Sequence, residues 1–247
     1  MSGSLVVVGT GPGKAELMTP ATLSALSRAT DLVGYGPYLD RVPVTRPDQR
    51  RHASDNRVEL ERARHALSLA AAGREVVVVS GGDPGVFAMA AAVFEAVEAG
   101  DPAWRTLDIR VEPGVTAMLA AAAEVGAPLG GDFCAISLSD NLKAWATIER
   151  RLRAAAEADF VIALYNPASK ARPHQLGEAF ALLRTLKAGE TPVLLVRAAG
   201  TAEAQVIATT LANADPAQAD MRTLVIVGAS TTRQVGRWIY TPRGATP

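Results

Sequence analysis

Four short segments of this 247-residue chain carry residue types that bind or transform ligands, and each stands directly behind an apolar run. Gly9-Thr10-Gly11-Pro12-Gly13 follows residues 5–8, and glycines there let backbone N–H groups close on an anion, as a phosphate cradle does. The spacing speaks against a dinucleotide fingerprint. Its sixth place is Lys14 instead of glycine, and the place of the acidic ribose partner reads Gly34-Tyr35-Gly36. A P-loop fails too, because Lys14 is followed by Ala15 and not by a magnesium-binding hydroxyl. What remains is a turn that admits a ligand, or a tight turn that packs strand on helix.

Ser80-Gly81-Gly82-Asp83-Pro84-Gly85 puts bare backbone, a carboxylate and a proline at the carboxyl end of a strand, where open α/β sheets hold ligands. Its plainer reading is a helix entry with Asp83 as N-cap. Leu164-Tyr165-Asn166-Pro167-Ala168-Ser169-Lys170-Ala171-Arg172 gathers a phenol, an amide, a hydroxyl and two cations. Such a set suits a loop that binds carboxylates, which Arg grips in bidentate fashion; the alternative is a solvated loop capping the next helix. Ser137-Leu138-Ser139-Asp140-Asn141 ends its strand similarly and is equally good N-cap chemistry.

Other chemistries lack their residues. The three histidines, His52, His65 and His174, lie far apart in sequence without metal-ligand spacing, so solvated or structural roles are expected and no metal site. No Gly-x-Ser-x-Gly elbow occurs. The single cysteine, Cys134, has no partner for an internal disulfide and reads as a small core residue.

Composition narrows the classes further. With 25 basic and 25 acidic residues there is no global field to gather nucleic-acid phosphates, and five Phe and four Tyr offer little for stacking bases. A 49% apolar content excludes a disordered chain. The apolar runs are too short to cross a bilayer and Met1-Ser2-Gly3-Ser4 is no basic leader, so a soluble cytoplasmic protein is expected.

The elements that must position these segments follow from the spacing of Val- and Ile-rich runs between amphipathic stretches, which predicts strands covered on both faces by helices. Strands are expected at residues 5–8, 31–35, 75–79, 109–111, 134–138, 160–165 and 193–197. Helices are expected at residues 17–28 behind a Thr19 cap, 56–73, after Gly85 through about 99, from Thr116, and at 142–156 and about 175–187. Arg50-Arg51-His52 reads as loop. Three short strands at residues 205–209, 223–227 and 238–241, with one brief helical stretch among them, predict a mixed sheet at the end. Pro113-Gly114 and the run Gly126-Ala127-Pro128-Leu129-Gly130-Gly131 both break the pattern, and either could divide two α/β halves.

Taken in order, GTGPG at Gly9, YGPYL at Tyr35, SGGDPGVF at Ser80, EPGVTA at Glu112, YNPASKAR at Tyr165, AAGT at Ala198 and LVIVGASTTR at Leu224 resemble the S-adenosylmethionine-dependent tetrapyrrole methyltransferases over essentially the whole chain. The resemblance implies two αβα domains, 1–115 with a mostly parallel sheet and 116–247 with a mixed sheet, and an active site in the cleft between them. It implies S-adenosyl-L-methionine as cofactor, held by Pro12, Gly81, Gly82, Asp83, Val86, Thr116, Ala117, Asn166 and Gly200, with S-adenosyl-L-homocysteine as product. A tetrapyrrole substrate and a homodimer come with it. The YGPYL, YNP-x-S-x-x-R and VGASTTR segments are most similar to the branch that methylates C17 of precorrin-3B and contracts the ring to precorrin-4 in the aerobic corrin pathway. The cobalt-containing anaerobic counterpart is the neighbouring alternative. In place of a less basic, Pro-Trp-containing stretch, this chain has Asn141-Leu142-Lys143-Ala144-Trp145.

An activated sulfonium methyl needs a nucleophilic ring carbon held in line and shielded from water, and no metal. A cationic cofactor without phosphate also accepts a glycine loop that lacks dinucleotide spacing. The many carboxylates of a tetrapyrrole call for local cations, for which Arg172, Lys170 and Arg51 are candidates, with Gly11 allowing close approach. Tyr165, Ser169 and Asp140 are the candidates for the proton steps of contraction, with His174 a further titratable group nearby in sequence. A nicotinamide oxidoreductase and a non-catalytic tetrapyrrole-binding protein are the rival classes; the failed glycine spacing disfavours the first.

Overall fold

The computed structural model describes residues 3–55 and 58–244. The chain divides into two compact units, Met1–Ala117 and Met118–Pro247. The first is built from β1 (Ser4–Gly9), α1 (Pro20–Arg28), β2 (Asp31–Tyr35), α2 (Gly36–Leu39), β3 (Arg50–Ser54), α3 (Glu59–Ala71), β4 (Glu75–Ser80), α4 (Met89–Ala99) and β5 (Asp108–Glu112). The strands lie in the order β3-β2-β4-β1-β5, and every neighbouring pair is parallel.

Strand alternation then fixes the layers. Leu5, Val7, Val76 and Val78 pack on Ala63, Leu67 and Ala70 of α3 and on Val93 and Ala96 of α4, whereas Val6, Val8, Val77 and Val79 pack on Ala25 and Leu26 of α1 and on Leu39. The chain leaves β1 through α1 on one face and leaves β4 through α4 on the other. Because β1 and β4 are neighbours, the gap between their carboxyl ends is the place where successive crossovers part company, and such a gap opens beside bare backbone.

The second unit holds α5 (Ala117–Val125, its first residue closing the first unit), β6 (Gly126–Ala127), β7 (Phe133–Ser137), α6 (Trp145–Glu157), β8 (Val161–Tyr165), α7 (Gln175–Leu183), β9 (Pro192–Arg197), β10 (Gln205–Thr210), β11 (Thr223–Val227), β12 (Arg233–Val235) and β13 (Trp238–Tyr240). Its main sheet runs β10-β9-β11-β8-β7, with β7 and β8 parallel and the other three pairs antiparallel. Ile148 and Leu152 of α6 and Leu176, Phe180 and Leu183 of α7 seal one face over Ile162, Leu164, Val193, Leu195, Val225 and Val227. Cys134 packs at the margin of this core, and burial pushes its thiol up from the ordinary value. A parallel sheet followed by a mixed one is the α/β arrangement expected from the sequence.

Several local expectations need correction. Arg50-Arg51-His52 is not loop: it begins β3, an edge strand paired with β2 in the register Arg51 to Leu32. Leu17 belongs to a separate 3-10 turn, and α1 starts at Pro20, where the Thr19 hydroxyl accepts from the Thr22 N–H at 3.1 Å. The start of α3 expected at Asn56 lies outside the described residues; the helix is seen from Glu59, and Gly73 turns the chain beyond its end with φ +84°. The next helix begins at Met89, not after Gly85, so Asp83 is not its cap. α6 starts at Trp145, because Leu142 is left exposed before it, and α7 ends at Leu183, four residues short of Lys187.

His52 and His65, far apart in sequence, meet with Nδ1 and Nε2 3.1 Å apart, and His52 Nε2 lies 2.9 Å from the fully buried carboxylate of Asp31. Burial alone would raise the Asp31 pKa. Hydrogen bonds from Arg74, Thr30 and His52, with the Arg74 charge, outweigh it and hold the value at about 2. Among the described residues no cluster of three His, Cys, Asp or Glu side chains could hold a metal ion, and no helix is long and apolar enough to cross a membrane.

Candidate functional site

Since all five strands of the first domain are parallel, the segments after each of them gather on one edge of the sheet. The turns behind β1 and β4 are joined by two backbone hydrogen bonds: the Gly11 N–H donates to the Gly82 carbonyl at 3.1 Å and the Gly82 N–H donates to the Gly11 carbonyl at 2.8 Å. Thr10 adds its N–H and hydroxyl to the Ser80 carbonyl, and the buried Thr22 hydroxyl of α1 donates to the Gly9 carbonyl at 3.1 Å. A Cβ on Gly9 would come within 2.5 Å of the Gly82 oxygen, and one on Gly114 within 2.3 Å of it. Three loops thus meet as main chain, with no room for a side chain at Gly9 or Gly114.

Asp83 ties this junction together. One carboxylate oxygen accepts from the Gly85 N–H at 2.8 Å, within its own turn, and the other accepts from the Gly114 N–H at 3.0 Å, across to the loop after β5. The Asp83 and Gly82 carbonyls are also committed, to the Val86 and Gly11 N–H groups respectively. Thr116 is buried, and the Cα of Thr116 and the N of Ala117 lie about 4 Å from where a Gly82 Cβ would be. Gly11, Gly81, Gly82, Asp83, Thr116 and Ala117 are therefore neighbours in space as well as candidates by type. Arg51 stands elsewhere in its bonding: its guanidinium donates to the carbonyls of Leu39, Val42 and Pro43.

In the second domain the loop after β8 is held just as firmly. The Tyr165 hydroxyl accepts from the Met118 N–H at 3.1 Å, at the start of α5, where helix N–H groups lack partners of their own. Asn166 adopts φ +53°, and its side-chain amide donates to the Ser137 hydroxyl at 3.0 Å, joining this loop to the end of β7. Ser169 and Arg172 exchange two backbone hydrogen bonds, which leaves Lys170 exposed at the tip of the turn. Arg172 folds inward, only 9% exposed, and donates to the Asn166 carbonyl at 3.4 Å.

Two polar atoms on or just after this loop, Ser169 Oγ and Gln175 Oε1, are buried without a hydrogen-bond partner among the described residues, as is Trp145 Nε1 at the start of α6. Buried polar atoms left in this state call for a ligand, a proton or a water. The amide nitrogen of Gln175 donates to Asp140 at 3.2 Å, which fixes that carboxylate. Gly200, at φ +70°, donates its N–H to Glu124 at 3.2 Å and so pins the loop after β9 to α5.

The sequence pattern of the tetrapyrrole (corrin/porphyrin) methylases matches residues 4–215. The chain belongs to this family. It is 59% identical over 248 residues to a precorrin-3B C(17)-methyltransferase of Sinorhizobium sp, covering 98% of this chain and 97% of that one. It is 43% identical to a probable cobalt-factor III C(17)-methyltransferase of Salmonella typhimurium, over 98% of this chain and 99% of that one. The crystal structure of the methyltransferase CobJ superposes with a TM-score of 0.95 at 54% identity, covering 98% of this chain and all of the other. The fold is also that of a Thermus thermophilus uroporphyrin-III C-methyltransferase solved in complex with S-adenosyl homocysteine, at TM-score 0.68 and 21% identity over 92% of each chain.

Two features of this methylase escaped sequence reasoning. The ring of Tyr38, from the YGPYL segment, lies so close to Gly81 that a Cβ there would meet it at 2.8 Å, and Tyr35 packs edge-on to Tyr38 with centroids 5.4 Å apart. The motif flagged the segment but not its target, because that contact depends on β2 lying beside β4. Phe87 takes φ +53° and stays half exposed. Nothing in its residue type announces either property.

Proposed function

We propose that this methylase transfers a methyl group from S-adenosyl-L-methionine to C17 of precorrin-3B, with contraction of the ring to give precorrin-4, in aerobic cobalamin biosynthesis. The observation that carries the reading is the 59% identity, end to end, with the Sinorhizobium enzyme of that name, against 43% for the cobalt-factor relative. When bound, S-adenosylmethionine supplies an electrophilic methyl on a sulfonium, and the carbon that takes it up releases S-adenosylhomocysteine. The residues present suit such a ligand: the main-chain junction of Gly9, Gly82 and Gly114 offers close approach without side chains, and no phosphate needs a cation there.

In this reading Pro12, Gly81, Gly82, Asp83, Val86, Thr116, Ala117, Asn166 and Gly200 bind the cofactor. Asp83 acts mainly by holding two loops at fixed separation through its bonds to Gly85 and Gly114. Gly11, Arg51, Lys170 and Arg172 serve the tetrapyrrole, with Lys170 the exposed cation and Arg172 the buried one that also shapes the loop. Ser169 Oγ, buried and unpartnered, Tyr165, oriented by the Met118 N–H, and Asp140, oriented by Gln175, are the groups for proton movement during contraction. A cytoplasmic homodimer is part of the proposal and rests on the family resemblance.

The test is incubation with methyl-labelled S-adenosylmethionine and either precorrin-3B or its cobalt-containing analogue, followed by NMR assignment of the labelled carbon. Label at C17 of the metal-free product is expected. Turnover of the cobalt compound alone would move the protein to the anaerobic pathway, and label on another carbon would overturn the regiochemistry.

A further inference from the structure

The ring of Tyr38 covers Gly81, where a Cβ would meet its carbons at 2.8 to 3.1 Å. Tyr35 packs edge-on against that ring, and the guanidinium carbon of Arg41 lies 5.7 Å from its centroid. An aromatic face attracts a cation electrostatically, and such a contact uses none of the five N–H donors of a guanidinium. Arg41 is exposed, and among the described residues its guanidinium has neither a hydrogen bond nor a carboxylate partner. A cation is thus stacked on the ring that lies on the Gly81 turn, with its donors unspent.

The backbone that carries this cation is clamped. The buried residues Leu39 and Val42 flank the Asp40-Arg41 pair, and their carbonyls accept from the two terminal nitrogens of Arg51 at 2.8 and 3.0 Å, with the Pro43 carbonyl at 3.3 Å. The Arg41 N–H donates to the Tyr38 carbonyl at 3.2 Å and the Val42 N–H to the Leu39 carbonyl at 3.0 Å, which closes the turn. Arg51 therefore spends its guanidinium on main chain. Arg46, further along, is paired with Asp48, and Lys14, the exposed cation behind β1, has no side-chain contact to hold it among the described residues. Of these cations Arg41 is the one both held in place and free to bind.

Methyl transfer requires the acceptor carbon to lie beside the donor, so a tetrapyrrole that reacts with a cofactor on the Gly81-Gly82 turn comes up against the residues packed on that turn. Its rim carries carboxylates, and Arg takes a carboxylate through two parallel N–H bonds. We propose that Arg41 is a substrate-binding residue for a rim carboxylate of the tetrapyrrole, stacked on Tyr38 as its platform, and that Arg51 is a positioning residue that serves the substrate by holding the turn of Arg41. The inference rests on the reading that puts the cofactor against Gly81 and Gly82. The experiment compares Arg41→Ala, Arg41→Lys, Arg51→Ala, the Arg41→Ala/Arg51→Ala double variant and Lys14→Ala in the full-length protein. The readouts are KM for precorrin-3B at low and high salt, Kd for S-adenosylhomocysteine by calorimetry, and the melting temperature.

Arg41→Ala is an exposed change and is expected to melt within about 2 °C of the parent. Its KM at low salt rises about fivefold, near the top of the range for an exposed ion pair, while S-adenosylhomocysteine binding stays within about twofold. In about 0.5 M salt the difference from the parent falls below about twofold, because exposed charges are screened and a lost packing contact is not. Lys keeps the charge without the fork and recovers part of the loss. Arg51→Ala melts lower and also raises KM, but the double variant stays within about 1.5-fold of the KM of Arg41→Ala, since both act on one contact. An unchanged KM in Arg41→Ala, a loss indifferent to salt, an equal loss of S-adenosylhomocysteine affinity, or a rise in Lys14→Ala in its place overturns the role of Arg41; full additivity in the double variant overturns that of Arg51. A parent protein that binds no S-adenosylhomocysteine and turns over no tetrapyrrole would instead sink the methyltransferase reading itself.

Discussion

Gly9, Gly36 and Gly82 make a graded test of the claim that the loops of the first domain meet as bare main chain. Alanine at Gly36, the first residue of α2, has nothing within 4 Å and no left-handed backbone to strain, so it should stabilise by about 0.4–1 kcal/mol through the unfolded chain. Alanine at Gly82 meets nothing closer than 3.8 Å but must hold φ +64°, which costs about 1–2 kcal/mol. Alanine at Gly9 would place its methyl 2.5 Å from the Gly82 oxygen, 2.7 Å from the Gly114 nitrogen and 2.8 Å from the Gly114 Cα. All three are backbone atoms, and the oxygen and nitrogen are already hydrogen-bonded to Gly11 and Asp83, so the loss should reach the upper range for overpacking, about 3 kcal/mol or more. At roughly 2–4 °C per kcal/mol for a chain of this size, Gly9→Ala should melt about 6–12 °C below the parent and Gly36→Ala slightly above it. Thermal unfolding by circular dichroism gives the ordering, and calorimetry with S-adenosylhomocysteine should show at least about tenfold weaker binding for Gly9→Ala, or 1.4 kcal/mol. Should Gly9→Ala and Gly36→Ala melt together, the close approach of the loops is wrong; should Gly9→Ala be destabilised with ligand affinity intact, the junction is scaffold and not binding site.

Asp31 is ionised in the folded protein down to about pH 2 against an ordinary 3.8, so its contribution, about 2 kcal/mol, is present above pH 4 and is lost as pH falls through 2. The urea midpoint of Asp31→Asn should therefore lie well below that of the parent at pH 5, with the gap narrowing toward pH 2.5. Tyr165→Phe strips the acceptor from the Met118 N–H at the head of α5, so the protein should lose about 1 kcal/mol in denaturant melts. Under the proposed role its kcat should fall more than its KM changes. Arg172→Ala should raise the KM for precorrin-3B about tenfold, or 1.4 kcal/mol, in steady-state assays; an unchanged apparent affinity would leave the side chain with its structural bonds to the Asn166 carbonyl and the Met221 sulfur.

The strands that position the site were legible because they are buried on both faces. Residues 5–8, 76–79 and 161–164 are continuous apolar runs, and all are buried in the two cores. β3 was illegible for the opposite reason. Arg50-Arg51-His52-Ala53-Ser54 is an edge strand joined to β2 by its backbone and by the polar side chains of His52 and Ser54, and hydropathy carries no record of such bonds. The Thr19 cap of α1 was local and readable; the α4 start was not, since Asp83 spends its oxygens on Gly85 and on Gly114, the second bond spanning 31 residues.

The same distinction runs through the site. Residue types told that glycines, an aspartate and a Tyr-Asn-Pro loop stood at strand ends, because those types are rare inside strands and suited to turns. Which of them touch is decided by strand order. Gly11 meets Gly82 only because β1 lies beside β4, and Tyr38 reaches Gly81 only because β4 also lies beside β2. An Asn166 at φ +53° is foreseeable from a side chain that tolerates that region, whereas a Phe87 at the same φ is not.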